Sequence, residues 1–325
     1  MLFFGPFVHD IDPVIGTILG VHLWWYGLSY SLGFLNANFF LGRHRYALGL
    51  SMTAIYDLSI MLAAGVLIGG RVVEVVFYEL QFYRDNPGLI PALWLGGMAS
   101  HGLLLGGLAG VWLFCSMHKK PFLQMTDALA IPASFILGAG RIGNFIDGQI
   151  VGSVTDVSWA VKFPVAEGFR HPVVIYDGLK NLLIIPVLWY VGRKRLPSGF
   201  VTGLFLFLYS FLRIFVDIFR EYPTSLFGLG TGQVLNFLTT FAGLSLMTIS
   251  FWSGNNGKGP LSAATDVEAY GSGEPGRWRP FVFVLILVFS LTIPSDWTQD
   301  IPARYGARHS GLKHSVLYPK IYNPY

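Results

Sequence analysis

Charged and titratable side chains stand inside long apolar runs of this sequence at Arg71, Glu74, His101, Arg141, Asp177, Arg213, Asp217 and Arg220. In a helix that crosses lipid such a group is costly, and by default it marks a functional site or a buried partner. Arginine is the informative type. Its guanidinium stays charged when buried and grips a phosphate through paired hydrogen bonds, so several arginines ending at one depth suit an anion such as a lipid phosphate. A quieter reading stands beside this one. Arg213 and Asp217 are spaced i,i+4, while Asp217 with Arg220 and Arg71 with Glu74 are spaced i,i+3, so each pair could neutralise itself on its own helix. Arg71 and Arg220, near helix ends, could also snorkel to the interface.

Two glycine-rich stretches carry some of these charges. Residues 138–152 (GAGRIGNFIDGQIVG) set five glycines around Arg141, Asn144 and Asp147. That composition predicts tight non-helical backbone lining a polar cavity and offering amide N–H groups to a phosphate. Residues 96–102 (GGMASHG) hold His101, the group beside the arginines that titrates near neutral pH and a candidate base.

The elements that must position these residues follow from composition. Hydrophobic residues make up 53% and charged residues 12%, with a mean hydropathy of +0.54. Soluble domains carry about 25% charged residues, so the fold class is an all-α polytopic integral membrane protein. Low-charge blocks near the span length of about 20 residues lie at 16–40, 52–79, 100–117, 123–140, 173–192, 199–219 and 230–252. A shorter eighth block, 281–293, is bracketed by Trp278 and Trp297, as aromatic belts bracket a span. The expectation is therefore seven to eight transmembrane helices. Basic clusters at 43–45, 118–120 and 193–195, with Arg277 and Arg279, fall at alternate connections, which puts those loops in the cytoplasm and the N-terminus outside. The charged groups then gather near the outer face. A transporter would place polar residues near the midplane and on both sides.

Residues 1–252 read as the transmembrane unit and 253–279 as a Gly/Ser-rich cytoplasmic linker. Residues 280–297 read as a further transmembrane helix and 298–325 as an extracytoplasmic tail, rich in Tyr, Pro and basic residues without helical period. The opening MLFFGPFVHDIDP lacks the basic n-region of a signal peptide, so the mature chain is expected to begin at Met1. Cys115, the one cysteine, reads as a small hydrophobe, and no Cys/His metal spacing occurs. No metal, cofactor or nucleic acid is expected.

The blocks WYGLSY (25–30), GGRVVEVVFY (69–78), GGMASHG, GAGRIGNFIDGQIVG, RHPVVIYD (170–177), YSFLRIFVDIFR (209–220) and GQVLNF (232–237) follow in that order. Together they resemble the bacterial prolipoprotein diacylglyceryl transferase family across roughly residues 10–250. The resemblance implies transfer of diacylglycerol from phosphatidylglycerol to the lipobox cysteine of a preprolipoprotein signal peptide, at the outer face of the inner membrane, with release of glycerol phosphate. It implies catalytic roles for His101, Tyr26 and Arg213. It implies substrate binding by Arg141, Asn144, Gly148, Gln149, Gly152, Tyr209, Asp217 and Arg220.

The sequence departs from the family pattern in places. Gln149 stands where the family usually has a glutamate, and Ser153 where a basic residue is common. Asp177 and Asp217 replace glutamates, Val173 and Val174 replace a more polar pair, and Glu74 takes an uncharged position. The segment beyond 252 has no counterpart in the usual family chain. Two readings stay open at this point: an active transferase, or a repurposed homologue that binds lipid and docks a membrane protein partner through its C-terminal extension.

Overall fold

The protein is described by a computed structural model that covers residues 6–164, 166–220, 231–253, 276–295 and 300–321. Trp297, most of the 220–229 loop and most of the linker lie outside the described residues. The chain opens with short strands β1 (Phe7–Val8), β2 (Val14–Ile18) and β3 (Val21–Trp24), followed by α1 (Trp25–Arg43) and α2 (Arg45–Leu48). Next come α3 (Met52–Val73), a π-helical turn over Glu74–Tyr78, α4 (Leu80–Asp85), α5 (Ser100–His118) and α6 (Phe122–Asp147). Strand β4 (Val161–Lys162) precedes α7 (Val173–Gly192), α8 (Phe200–Asp217), α9 (Thr231–Trp252), α10 (Trp278–Ser290) and α11 (Ile301–Tyr305).

The all-α membrane class is observed. Among the described residues six helices are long and apolar enough to span a membrane: α3 with its π turn, α5, α6, α7, α8 and residues 232–252 of α9. One expectation changes. The first apolar block does not become one helix from residue 16, because residues 14–24 pair as the antiparallel hairpin β2–β3 and α1 starts only at Trp25. Helix α10 has 13 residues, about 20 Å at 1.5 Å per residue. It is nonetheless part of the bundle. Ser31 donates to Leu287 O at 2.7 Å and the Trp24 N–H to Leu291 O at 2.8 Å, while Phe283 and Ile293 are buried against Tyr30, Phe34 and Leu67.

Small residues set the closest packing. Gly65 and Gly69 on α3 face Gly102 and Gly106 on α5, where a Cβ would run into the opposing carbonyl oxygens. Van der Waals contact between backbones is the main attraction available to helices in lipid. Helices α8 and α9 meet in the same way at Gly203 and Gly243.

The bundle has two distinct ends. At one, Asp57 pairs with Arg279 (2.7 Å) and His118 (3.5 Å), and Lys120 donates to Gly49 O at 2.6 Å. Asp127 of α6 accepts from Gly199 N and Thr202 N, both at 2.7 Å, capping the start of α8. These are the ends that carry the basic loops. The opposite end holds the hairpin, the 148–172 loop and the described tail 300–321, which packs Ile301, Tyr305, Leu312 and Tyr318 into one core with Val14, Trp24, Ala92 and Leu95.

Candidate active site

Near the hairpin end, three helices converge on one buried carboxylate. Gly138 and Gly178 let α6 and α7 approach, and a Cβ on Gly178 would touch Arg141 Cβ at 3.2 Å. The crossing brings Arg141 Nε to 2.6 Å from Asp177 Oδ2. Arg213 of α8 pairs with the same oxygen, and Lys180, one turn along α7, reaches Asp177 Oδ1 at 3.0 Å. Asp177 is fully buried. Arg213 is also held by Asp217 at 2.9 Å, and Asn236 of α9 donates to the other Asp217 oxygen at 2.8 Å.

Three cations against two carboxylates leave one excess positive charge in a low-dielectric setting. The ion pairs across helices supersede the expectation that Arg213 and Asp217 only neutralise each other. Arg141 is the open member, its side chain 21% exposed, with Nη1 donating to Asn144 Oδ1 at 3.2 Å. Tyr26 and Tyr209 lie within electrostatic reach of Arg141. Tyr26 Oη is 3.1 Å from Tyr30 Oη, and Gly143 gives Tyr26 its seat on α6. Lys180 lies over the Tyr209 ring at 4.0 Å and donates to Tyr209 O at 3.1 Å. Such a cluster of fixed positive groups can hold a phosphate ester and stabilise it as it leaves.

The glycine-rich stretch differs from its expected form. Residues 138–147 are helical, the last turns of α6. Gly148 ends the helix with φ +74°, where its N–H donates to Phe145 O and that of Gln149 to Asn144 O, both at 2.9 Å. Those amides close the helix and do not face a phosphate. The Gly152 N–H donates to His171 O at 3.2 Å, and Gly152 forms a β-bridge with Arg220. Gly152 and Arg220 thus join the 148–172 loop to the end of α8. Gln149 is half-buried, its Nε2 donating to Tyr305 Oη at 3.2 Å.

Arg71 is not in the cluster. It donates to Leu89 O, Ile90 O, Ala92 O, Gly96 O and Gly97 O at 2.5–3.1 Å, tying down the 87–97 loop. Gly96 and Gly97, at φ +80° and +83°, shape that loop before α5. His101 is exposed at the start of α5, with Nδ1 3.3 Å from Tyr78 Oη. The bonds that join Arg141, Asp177 and Arg213 do not involve it. Lys180 was not singled out in the sequence, although its i,i+3 spacing from Asp177 is visible, nor was Asn236, an uncharged side chain between Leu235 and Phe237.

Beside the charges, an apolar groove of about 530 Å³ is lined by Phe145, Trp159, Ile175, Tyr176 and Leu179 among others. Phe145 follows Asn144 and Tyr176 precedes Asp177, so groove and charge cluster share two helices.

Fold and site together define a multi-helix membrane protein with a buried cluster of arginine, lysine and aspartate side chains near one end of its bundle. The sequence model of prolipoprotein diacylglyceryl transferase matches residues 13–249. The phosphatidylglycerol--prolipoprotein diacylglyceryl transferase of Chromohalobacter salexigens is 40% identical over 246 residues, 73% of this chain and 91% of that relative. The enzymes of that name from Pseudoalteromonas atlantica (38% over 248 residues, 73% and 89%) and Geobacter sulfurreducens (39% over 249 residues, 74% and 95%) are similar over the same share. The chain belongs to the prolipoprotein diacylglyceryl transferase family.

Proposed function

We propose that the protein is a multi-pass enzyme of the bacterial inner membrane that transfers a diacylglyceryl group from phosphatidylglycerol to the lipobox cysteine of a prolipoprotein. The observation that carries this reading is the Arg141–Asp177–Arg213–Lys180 cluster, with its excess charge and its open guanidinium, in a chain of this family. In the reaction the cysteine sulfur bonds to the glyceryl carbon that bears the phosphate, that C–O bond breaks, and glycerol phosphate departs with the electron pair. The thiol proton goes to a base. Arg141 takes the phosphate, with Asn144 fixing its guanidinium; Arg213, held between Asp177 and Asp217, supplies the second positive charge. Tyr26 and Tyr209 orient the lipid beside Arg141.

His101 is the base candidate, because an imidazole can accept a thiol proton near neutral pH. It stands at the same end of the bundle, on the helix whose entry loop Arg71 secures. The groove beside Phe145 and Tyr176 supplies an apolar surface for an acyl chain. By the positive-inside rule the basic-loop end faces the cytoplasm and this site the outer leaflet, where both substrates meet it. The gene should restore growth to a strain whose own transferase is depleted, whereas Arg213→Gln should fail. Failure of the unmodified, membrane-inserted protein would sink the reading.

A further inference from the structure

The described C-terminal residues 300–321 lie wholly outside the matched range 13–249, yet they touch the helix that carries Arg141. Arg308 Nη2 donates to Asp147 O at 2.7 Å, and Nη1 to Ile146 O and Ile11 O, each at 3.2 Å. Ile146 and Asp147 are the last residues of α6, whose final carbonyls have no acceptor role within the helix and attract a cation. Arg308 also sits over Gly148, where a Cβ would lie 3.4 Å from Nη1. Next to it, Tyr305 Oη accepts from Gln149 Nε2 at 3.2 Å. The tail is itself anchored. Tyr318 Oη accepts from His22 N at 2.9 Å, Trp94 Nε1 donates to Leu317 O at 2.9 Å, and Tyr305 packs edge-on to Trp24 with centroids 5.1 Å apart.

We infer that residues 300–321 are a built-in clamp on the C-terminal end of α6, and that Arg308 is a positioning residue for the anion site, acting through the Ile146 and Asp147 carbonyls on Asn144 and Arg141. Arg141 lies less than two turns from that end. A helix terminus left free to fray would let the Arg141–Asn144 bond drift, and electrostatic stabilisation of a leaving phosphate depends on donors already in place. The inference rests on the transfer reaction proposed above.

The test uses the full chain with Arg308→Met, Arg308→Lys and, as a control for stability alone, Trp94→Phe, which removes a tail contact remote from α6. Transfer to a lipobox peptide is measured in proteoliposomes, with melting temperature and amide exchange over residues 145–150. Arg308→Met should lower kcat about tenfold or more with KM for the peptide changed less than threefold, and should speed exchange at Gly148 and Gln149. Arg308→Lys, which keeps the cation, should recover at least a third of the rate. Trp94→Phe should lower the melting temperature without the kcat loss. Unchanged exchange and rate in Arg308→Met overturn the inference, as does an equal kcat loss in Trp94→Phe at the same melting temperature. Were the unmodified protein to transfer nothing, the proposed function would fall, while exchange at Gly148 and Gln149 would still decide whether Arg308 clamps the helix.

Discussion

At Asp177 one buried carboxylate meets Arg141, Arg213 and Lys180, so it alone joins all three cations, while Asp217 holds Arg213. Removing one member of a buried ionic group leaves its partners uncompensated and costs about 3–5 kcal/mol. Asp177→Asn should therefore lose stability of that order in detergent unfolding and abolish transfer. A variant that melts like the unmodified protein would contradict this. Arg141→Lys should keep the fold but lose transfer by about a hundredfold, because a point charge cannot reproduce a two-pronged grip on phosphate; a loss under threefold in a transfer assay would count against the assignment. At this scale the sequence was informative because a charge in an apolar run is conspicuous. Partners were less legible. The carbonyls that hold Arg71 lie 18–26 residues along the chain, and no spacing rule joins them.

For the elements, legibility depended on whether packing agreed with local preference. Apolar blocks located α3, α5, α7, α8 and α9 because lipid demands continuous hydrophobic helices. The hairpin at 14–24 was absorbed into the first block, since apolar strand residues and apolar helix residues look alike in a short run. Glycines in α6 suggested broken helix by propensity. In the structure they remain helical because bare backbone is what lets Tyr26 and α7 approach. The same argument makes a prediction for α3 and α5. Gly106→Val places a side chain against the Gly65 carbonyl and should destabilise by about 1–3 kcal/mol, the usual cost of overpacking. A neutral result in thermal unfolding would show that these helices are not held in that contact.

Across the whole molecule, the two ends of the bundle do different work. The basic-loop end is closed by ion pairs at Asp57 and the cap at Asp127. The other end gathers the N-terminal strands, the loop after α6 and the tail around the C-terminal end of α6. That cap contains a pH-sensitive contact. His9 pairs with Phe145 O at 2.7 Å, and burial, with the nearby Arg308 charge, holds its pKa below the ordinary 6.5. Below pH 6.5 the unfolded segment binds a proton that the folded one resists, so the cap's stability is complete above 6.5 and declines as pH falls through that value. Amide protection factors, exchange corrected for its intrinsic pH dependence, should fall around residues 7–9 and 160–162 between pH 7 and 5.5, and His9→Gln should flatten that fall; protection factors independent of pH in the unmodified protein would contradict it.

Seen from sequence alone, the tail was a segment without helical period that one of two readings gave to a partner; its contacts with residues 11, 22, 94 and 147 are all long-range and left no local signal. The central claim is that the charge cluster moves a lipid group, and the direct measurement is transfer of a radiolabelled diacylglyceryl group. Purified protein in phosphatidylglycerol proteoliposomes would be given a lipobox peptide and, in parallel, its Cys→Ser counterpart. The account predicts label on the cysteine peptide alone, release of glycerol phosphate in equal amount, and loss of both in Arg213→Gln. Folded protein that binds phosphatidylglycerol yet labels neither peptide would contradict it.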